Sequence, residues 1–304
     1  MAHPTDAVPR ESVVYKQVDG CTISADVFGA QPAARPAERR PAVVWIHGGG
    51  LIFGTRRTPR PWLLEALLAA GAVVVSIDHR LAPQARVAQI VDDVVDAWQW
   101  LQAEGPERFG IDPARVAVSG GSAGAYLSLL LATRVQPAPR AIASFWGFGD
   151  ITRPWEAEPS EHYRQGELMS EAKARESVGA AVVADAPDPF ARADFYLWCR
   201  QQGRWLEEVV GRGLDGDPGW FDPWCPIRRV TPVHPPTFLL HGADDTDVPC
   251  DESERLAARF AEAGVPHELH VVPGAGHGLA GLDNEAAAAL EGRAAAFLMR
   301  HLAA

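Results

Sequence analysis

The chain has 304 residues, of which 47% are hydrophobic and 22% charged, a composition that fits a globular protein able to bury a large core. Its formal net charge of −11 argues against a nucleic-acid binder, which needs a basic face. No apolar run is long enough to span a bilayer, and residues 1–10 lack the apolar core of a signal peptide or membrane anchor, so a cytoplasmic protein is expected.

Residues 12–15 and 22–28 read as an opening hairpin, the second run alternating apolar and polar side chains. A Pro/Ala/Arg-rich loop follows at 31–40. The texture then changes. Runs at 42–46, 72–77, 116–118, 141–145 and 237–240 are short and almost wholly apolar, as strands are when a parallel sheet is covered on both faces. Helical patterns separate them at 62–70, 88–102, 123–133 and 251–263, with Gly71 and Gly264 where C-caps belong. The last strand is expected at 268–272. The last helix, at 285–301, includes the alanine run 286–289. Alternating strand and helix predicts a doubly wound, mostly parallel α/β sheet.

One segment breaks the rhythm. From 150 to 225 no strand pattern is visible, and aromatics crowd the stretch, among them Trp155, Tyr163, Tyr196, Trp205 and Trp224. So long a segment is rarely structureless. It is expected to form a mostly helical cap inserted between two core strands, with most rings packed in its interior and a few lining a pocket. The core then comprises residues 1–149 and 226–304. The four cysteines, Cys21, Cys199, Cys225 and Cys250, lie far apart and are expected to be reduced.

The chemistry begins at Gly120-Gly121-Ser122-Ala123-Gly124, between an apolar strand and a helix. Strand, sharp turn and helix around Gly-x-Ser-x-Gly is the pattern of a nucleophile elbow. A serine hydroxyl is a poor nucleophile and needs a base, which in turn needs an orienting acid. Two loops that follow later strands supply candidates. One, after 238–240, contains Asp244, Asp245 and Asp247. The other, after 268–272, contains His277 between small residues. Ligands of open α/β sheets bind beyond the carboxyl ends of strands, so these loops and Ser122 are expected to converge. Asp150 is a remoter candidate for the acid. The other histidines have weaker claims than His277.

A second signal is His47-Gly48-Gly49-Gly50 at the end of a strand. Alone, it reads as a glycine-rich turn. Paired with the elbow, its backbone N–H groups can receive a developing oxyanion, completed by the N–H of Ala123. His47 is expected to hold this loop rather than act as a base. The glycines lack the lysine of a phosphate-binding loop and the spacing of a dinucleotide fingerprint, and no cluster has zinc-ligand spacing. Neither cofactor nor metal is expected.

These pieces, together with Asp78-His79-Arg80-Leu81-Ala82-Pro83, His241-Gly242-Ala243-Asp244-Asp245 and Gly276-His277-Gly278, resemble the hormone-sensitive-lipase-like branch of the α/β-hydrolases, the bacterial HGGG carboxylesterases. The likeness runs from about residue 42 to 279. It implies an α/β-hydrolase fold and a serine esterase acting through an acyl-enzyme. It points to Asp245 as the acid beside Ser122 and His277, and to Gly49 and Gly50 as oxyanion donors with Ala123. The chain departs from the family at His79, where tyrosine is usual. It also departs in its short N-terminal extension, while the insertion resembles that of prolyl-oligopeptidase-like and dienelactone-hydrolase-like relatives. A small-molecule ester is the expected substrate, with no nucleic-acid or membrane partner. A homodimer through an edge strand or the last helix is compatible with the pattern. The rival readings are a peptidase or amidase using the same residues, and a non-catalytic small-ligand binder.

Overall fold

Val43 and Val44 are adjacent in sequence and both buried, yet they face opposite sides of a sheet. That relationship recurs through the centre of the molecule and explains the apolar runs. In this computed structural model, which describes residues 4–186 and 188–303, eight strands form one sheet. They are β1 (Arg10–Val18), β2 (Cys21–Phe28), β3 (Arg40–Ile46), β4 (Val73–Ile77), β5 (Ile111–Gly121), β6 (Ile142–Phe145), β7 (Thr237–Gly242) and β8 (His267–Val272). The order across the sheet is β1-β2-β4-β3-β5-β6-β7-β8. The hairpin β1–β2 joins β4 antiparallel, and every pairing from β4 to β8 is parallel. The first three residues of the N-terminal segment lie outside the described residues.

Helices cover both faces. Ala42, Val44 and Ile46 of β3, Val73 and Val75 of β4, and Val116 and Val118 of β5 belong to one core. It is closed by α2 (Val87–Arg108), α3 (Ala123–Ala132) and α7 (Asp251–Ala263) through Ile90, Val94, Leu127, Leu130, Leu256 and Phe260. Val43, Trp45, Val74, Ala117, Phe238 and Leu240 point the other way, onto α1 (Pro61–Ala69) and α8 (Asn284–Leu302). Successive residues of a strand alternate faces, so a strand buried on both sides shows no alternation of apolar and exposed polar positions.

Several elements run beyond their expected bounds, β1 (Arg10–Val18) at both ends among them. Helix α2 continues past Gln102 to Arg108, with Pro106 inside its last turn. Strand β5 begins at Ile111, where Asp112 pairs with Arg115 and the register with β3 shifts between Arg40 and Ala42. Its polar first half carries no apolar run and is invisible to that criterion.

Among the described residues no strand lies between Phe145 and Thr237. The segment holds α4 (Pro154–Ala157), α5 (Glu171–Val178), α6 (Ala193–Gln202) and short turns of other helical types. Its rings Phe195, Trp198, Trp205 and Phe221 join the same buried cluster as Tyr126 and Phe148 of the sheet side. All four cysteines are free thiols. Because β3, β5, β7 and β8 are parallel, the loops leaving their carboxyl ends all emerge on one edge of the sheet.

Candidate active site

Ser122 stands between the last residue of β5 and the first of α3, with φ 55° and ψ −123°. A non-glycine residue there costs about 1–3 kcal/mol and persists only when its surroundings fix it. They do. Its N–H donates to the Phe145 carbonyl at 2.9 Å, and its own carbonyl accepts from Ala125 and Tyr126 at 2.9 and 3.1 Å. The flanking glycines are required by close approach. A Cβ on Gly120 would lie 2.3 Å from the Gly124 carbonyl carbon, and one on Gly124 would lie 2.1 Å from the Ile46 oxygen. The turn presents Ser122 to a cavity of about 280 Å³ that His277, Gly49 and Gly50 also line.

His277 begins a short turn after β8, and Asp245 lies in the loop after β7. The His277 Nδ1 is 2.7 Å from Oδ2 of Asp245. The other oxygen of Asp245 accepts the backbone N–H groups of Asp247 and Val248, both at 2.9 Å. Buried His241 reaches Asp245 Oδ2 with its Nε2 at 3.3 Å, while its Nδ1 meets the Ser253 hydroxyl at 2.7 Å. Burial pushes the Asp245 carboxyl upward, but the hydrogen bonds from His241 and His277 outweigh it and hold the group well below the usual carboxylate range. An ionised Asp245 can only accept, so the hydrogen between the two residues belongs to His277 Nδ1, and in the neutral ring Nε2 is left as a base. Burial lowers the His277 pKa. The Asp245 hydrogen bond and the charges of Asp247 and Asp245 more than reverse that, and the net shift is upward.

The neighbouring acids are placed elsewhere. Asp244 is exposed. Asp150 bonds Thr152 at 2.6 Å and pairs with Arg228 at 3.2 Å, so it serves its own turn and not His277. Asp247 faces the opposite edge of the imidazole, its Oδ2 3.5 Å from His277 Nε2.

The glycine loop follows β3. Gly49 has φ +107°, and a Cβ there would lie 2.1 Å from the Phe53 carbonyl oxygen. The Gly49 carbonyl accepts from Ile52 and Phe53 at 2.9 and 3.0 Å, which closes the turn. Ala123 is the first residue of α3, so its N–H has no acceptor within the helix. His47 bonds the carbonyl of Gly48 within the loop at 2.8 Å and stacks on His79, ring centroids 4.4 Å apart. Burial pushes His47 down to about 4 and His79 to about 3, so both rings are neutral near pH 7.

The family model described as BD-FAE matches residues 30–260. The chain belongs to the BD-FAE family. Among solved structures it superposes on an alpha/beta hydrolase superfamily protein from Enterococcus faecalis with a TM-score of 0.74 at 21% identity, covering 97% of this chain and 100% of that one. It matches esterase LipW from Mycobacterium marinum with a TM-score of 0.67 at 25% identity, covering 97% and 84%. The fold is therefore that of the α/β-hydrolases. In sequence it is 30% identical over 313 residues to a non-reducing polyketide synthase, stbA, of Stachybotrys bisbyi. The alignment takes in 90% of this chain but only 14% of that synthase.

Around this BD-FAE site stand residues that sequence reasoning did not single out as functional. Trp205 donates its indole N–H to the Gly50 carbonyl at 2.8 Å. Buried Arg192 donates to the carbonyls of Ile52 at 2.7 Å and Ala82 at 2.5 Å, tying the loops after β3 and β4 together. Tyr196 lines the cavity. All three come from the insertion, Trp205 and Arg192 more than 100 residues from the Gly50, Ile52 and Ala82 carbonyls they hold, and no local motif marks them. His241 was legible as part of a His-Gly pair, but its support of Asp245 was not. Arg60, also on the cavity wall, lies over the Trp146 ring at 5.2 Å and pairs with buried Glu291. Among the described residues no group of three or more His, Cys, Asp or Glu side chains is arranged to hold a metal ion, and no helix is long and apolar enough to cross a membrane.

Proposed function

We propose that this BD-FAE chain is a serine hydrolase that cleaves carboxylic esters through an acyl-enzyme. The observation that carries the reading is the 2.7 Å bond from His277 to Asp245 beside a cavity shared with Ser122 on its strained turn. In this reading the Ser122 Oγ attacks the ester carbonyl and His277 Nε2 takes its proton. Asp245 fixes the tautomer and stabilises the imidazolium. The N–H groups of Gly49, Gly50 and Ala123 receive the oxyanion. His277 then protonates the departing alcohol, and a water deprotonated by the same nitrogen releases the acid.

The cavity of about 280 Å³ is at the small end of ligand pockets, which favours a short acyl or alcohol group. Residues 150–225 act as the cap over the core formed by 1–149 and 226–304. Phe190 and Tyr196 of that segment on the cavity wall support this. The likeness to esterase LipW supports an ester over an amide. The match to a segment of stbA favours a second reading, release of a polyketide acyl chain. Turnover of p-nitrophenyl butyrate, a butyryl thioester and a peptidyl anilide by the purified protein and by Ser122→Ala tests the assignment. Oxyester turnover lost in the variant supports it. Preferred thioester turnover supports the second reading, and equal activity in both proteins excludes either.

A further inference from the structure

The imidazole of His277 lies between two carboxylates. Asp245 takes Nδ1 at 2.7 Å, and Asp247, two residues on, places Oδ2 3.5 Å from Nε2. The second contact is not accidental rotamer drift, because Asp247 is fixed from three sides. Its N–H donates to Asp245 Oδ1 at 2.9 Å, its Oδ1 accepts from the Tyr196 hydroxyl at 2.6 Å and from Arg200 Nη1 at 2.7 Å, and its carbonyl accepts from Arg200 Nη2 at 3.1 Å. Arg200 is itself 2% exposed.

The contact discriminates between the two states of the ring. A neutral imidazole with its hydrogen on Nδ1 turns a lone pair toward Asp247, which gains nothing from it. A cationic imidazole carries positive charge 3.5 Å from the Asp247 Oδ2 and is attracted to it, whether or not its Nε2–H points elsewhere. We propose that Asp247 is a positioning residue for His277: from the Nε2 side, opposite Asp245, it stabilises the imidazolium that exists while the Ser122 proton is on loan. The proposal rests on the hydrolase reading above.

The other charged groups near the ring are accounted for. Asp245 and Asp247 come from the loop after β7. From α6, Arg200 and Tyr196 hold Oδ1, while His277 faces Oδ2. From α4, Glu156 stands 3.6 Å from Arg200 and not against the ring. Tyr163, from the turn before α5, feels Asp247 and Arg200, and burial pushes its phenol upward, so it is neutral. On the far wall Arg60 is paired with Glu291 behind Trp146, whose ring meets His277 edge-on at 6.2 Å.

The test is the pH dependence of kcat/KM for p-nitrophenyl butyrate, with a ¹⁵N-histidine NMR titration of His277 in parallel. Asp247→Asn is expected to move the acid limb, and the ring's titration, to lower pH by about one unit, and to lower the plateau kcat about tenfold. Asp247→Glu, which keeps a carboxylate, is expected to restore the wild-type limb. If Asp247→Asn does not fold with Arg200 left buried, Asp247→Asn with Arg200→Met removes both charges and is expected to shift the limb in the same direction. An acid limb and an NMR titration superimposable on the wild type in a folded variant overturn the proposal. The NMR readout needs no turnover, so it separates this failure from that of the hydrolase reading, which is decided by Ser122→Ala.

Discussion

Asp245 and His277 meet at 2.7 Å although 32 residues separate them and each sits in a loop of its own. What brings them together is the register of β7 and β8, in which His241 lies beside Val271 and Gly242 beside Val272. Both strands therefore release their loops at the same height, and the two side chains need only a few residues each to touch.

This relationship gives the first expectation. In Asp245→Asn the amide oxygen can keep the N–H bonds from Asp247 and Val248, but its NH₂ then faces His277 and selects the tautomer with the hydrogen on Nε2. The base is lost while the geometry survives. Ester turnover is expected to fall by about 10³–10⁴ in kcat, with little change in KM. Steady-state kinetics beside an unchanged circular dichroism spectrum checks it.

The insertion holds the glycine loop after β3 at Gly50, whose carbonyl accepts from Trp205 at 2.8 Å, as well as at Ile52, which Arg192 bonds. Trp205→Phe removes that donor and part of a fully buried ring, at a cost of about 1–3 kcal/mol in stability. The chain at Gly50, whose own N–H is the proposed oxyanion donor, is then less firmly held. Affinity for a trifluoromethyl ketone, which forms a tetrahedral adduct, is expected to fall by roughly tenfold, more than affinity for an uncharged substrate analogue. Equal losses for both ligands contradict this role.

The stacked pair His47 and His79 makes the fold acid-sensitive. Burial holds both rings below the ordinary histidine value, to about 4 and about 3, so the unfolded chain binds protons at a pH where the folded chain does not. Their contribution is present above pH ~6.5 and is lost as pH falls toward 4, on the order of 3 kcal/mol per ring at the lower end. Thermal melts from pH 7 to 4 of the wild type and of His79→Tyr, which cannot protonate there, are expected to converge or cross as pH drops. Parallel curves contradict the account.

Much of this was legible in the sequence, for identifiable reasons. Runs such as 42–46 and 237–240 announce strands because both faces are covered. Gly120 and Gly124 announce the elbow because a Cβ at either collides with backbone. Ser122 and His277 follow from chain order. Asp245 needed the family resemblance, since three aspartates share its loop, and only coordinates show that Asp247 faces the same ring from its other edge. What the sequence withheld is of one kind. The polar start of β5 has no periodicity to read, and Arg192, Arg200 and Trp205 act on backbone far away in the chain, through contacts that no local pattern encodes.

The central claim is that Ser122 is the nucleophile. Intact-mass and peptide mapping after treatment with a fluorophosphonate test it most directly. The account predicts a single adduct on Ser122 in the wild type, no adduct in Ser122→Ala, and ester hydrolysis in that variant reduced by at least about 10³. An adduct on another residue, or hydrolysis undiminished in Ser122→Ala, would contradict it.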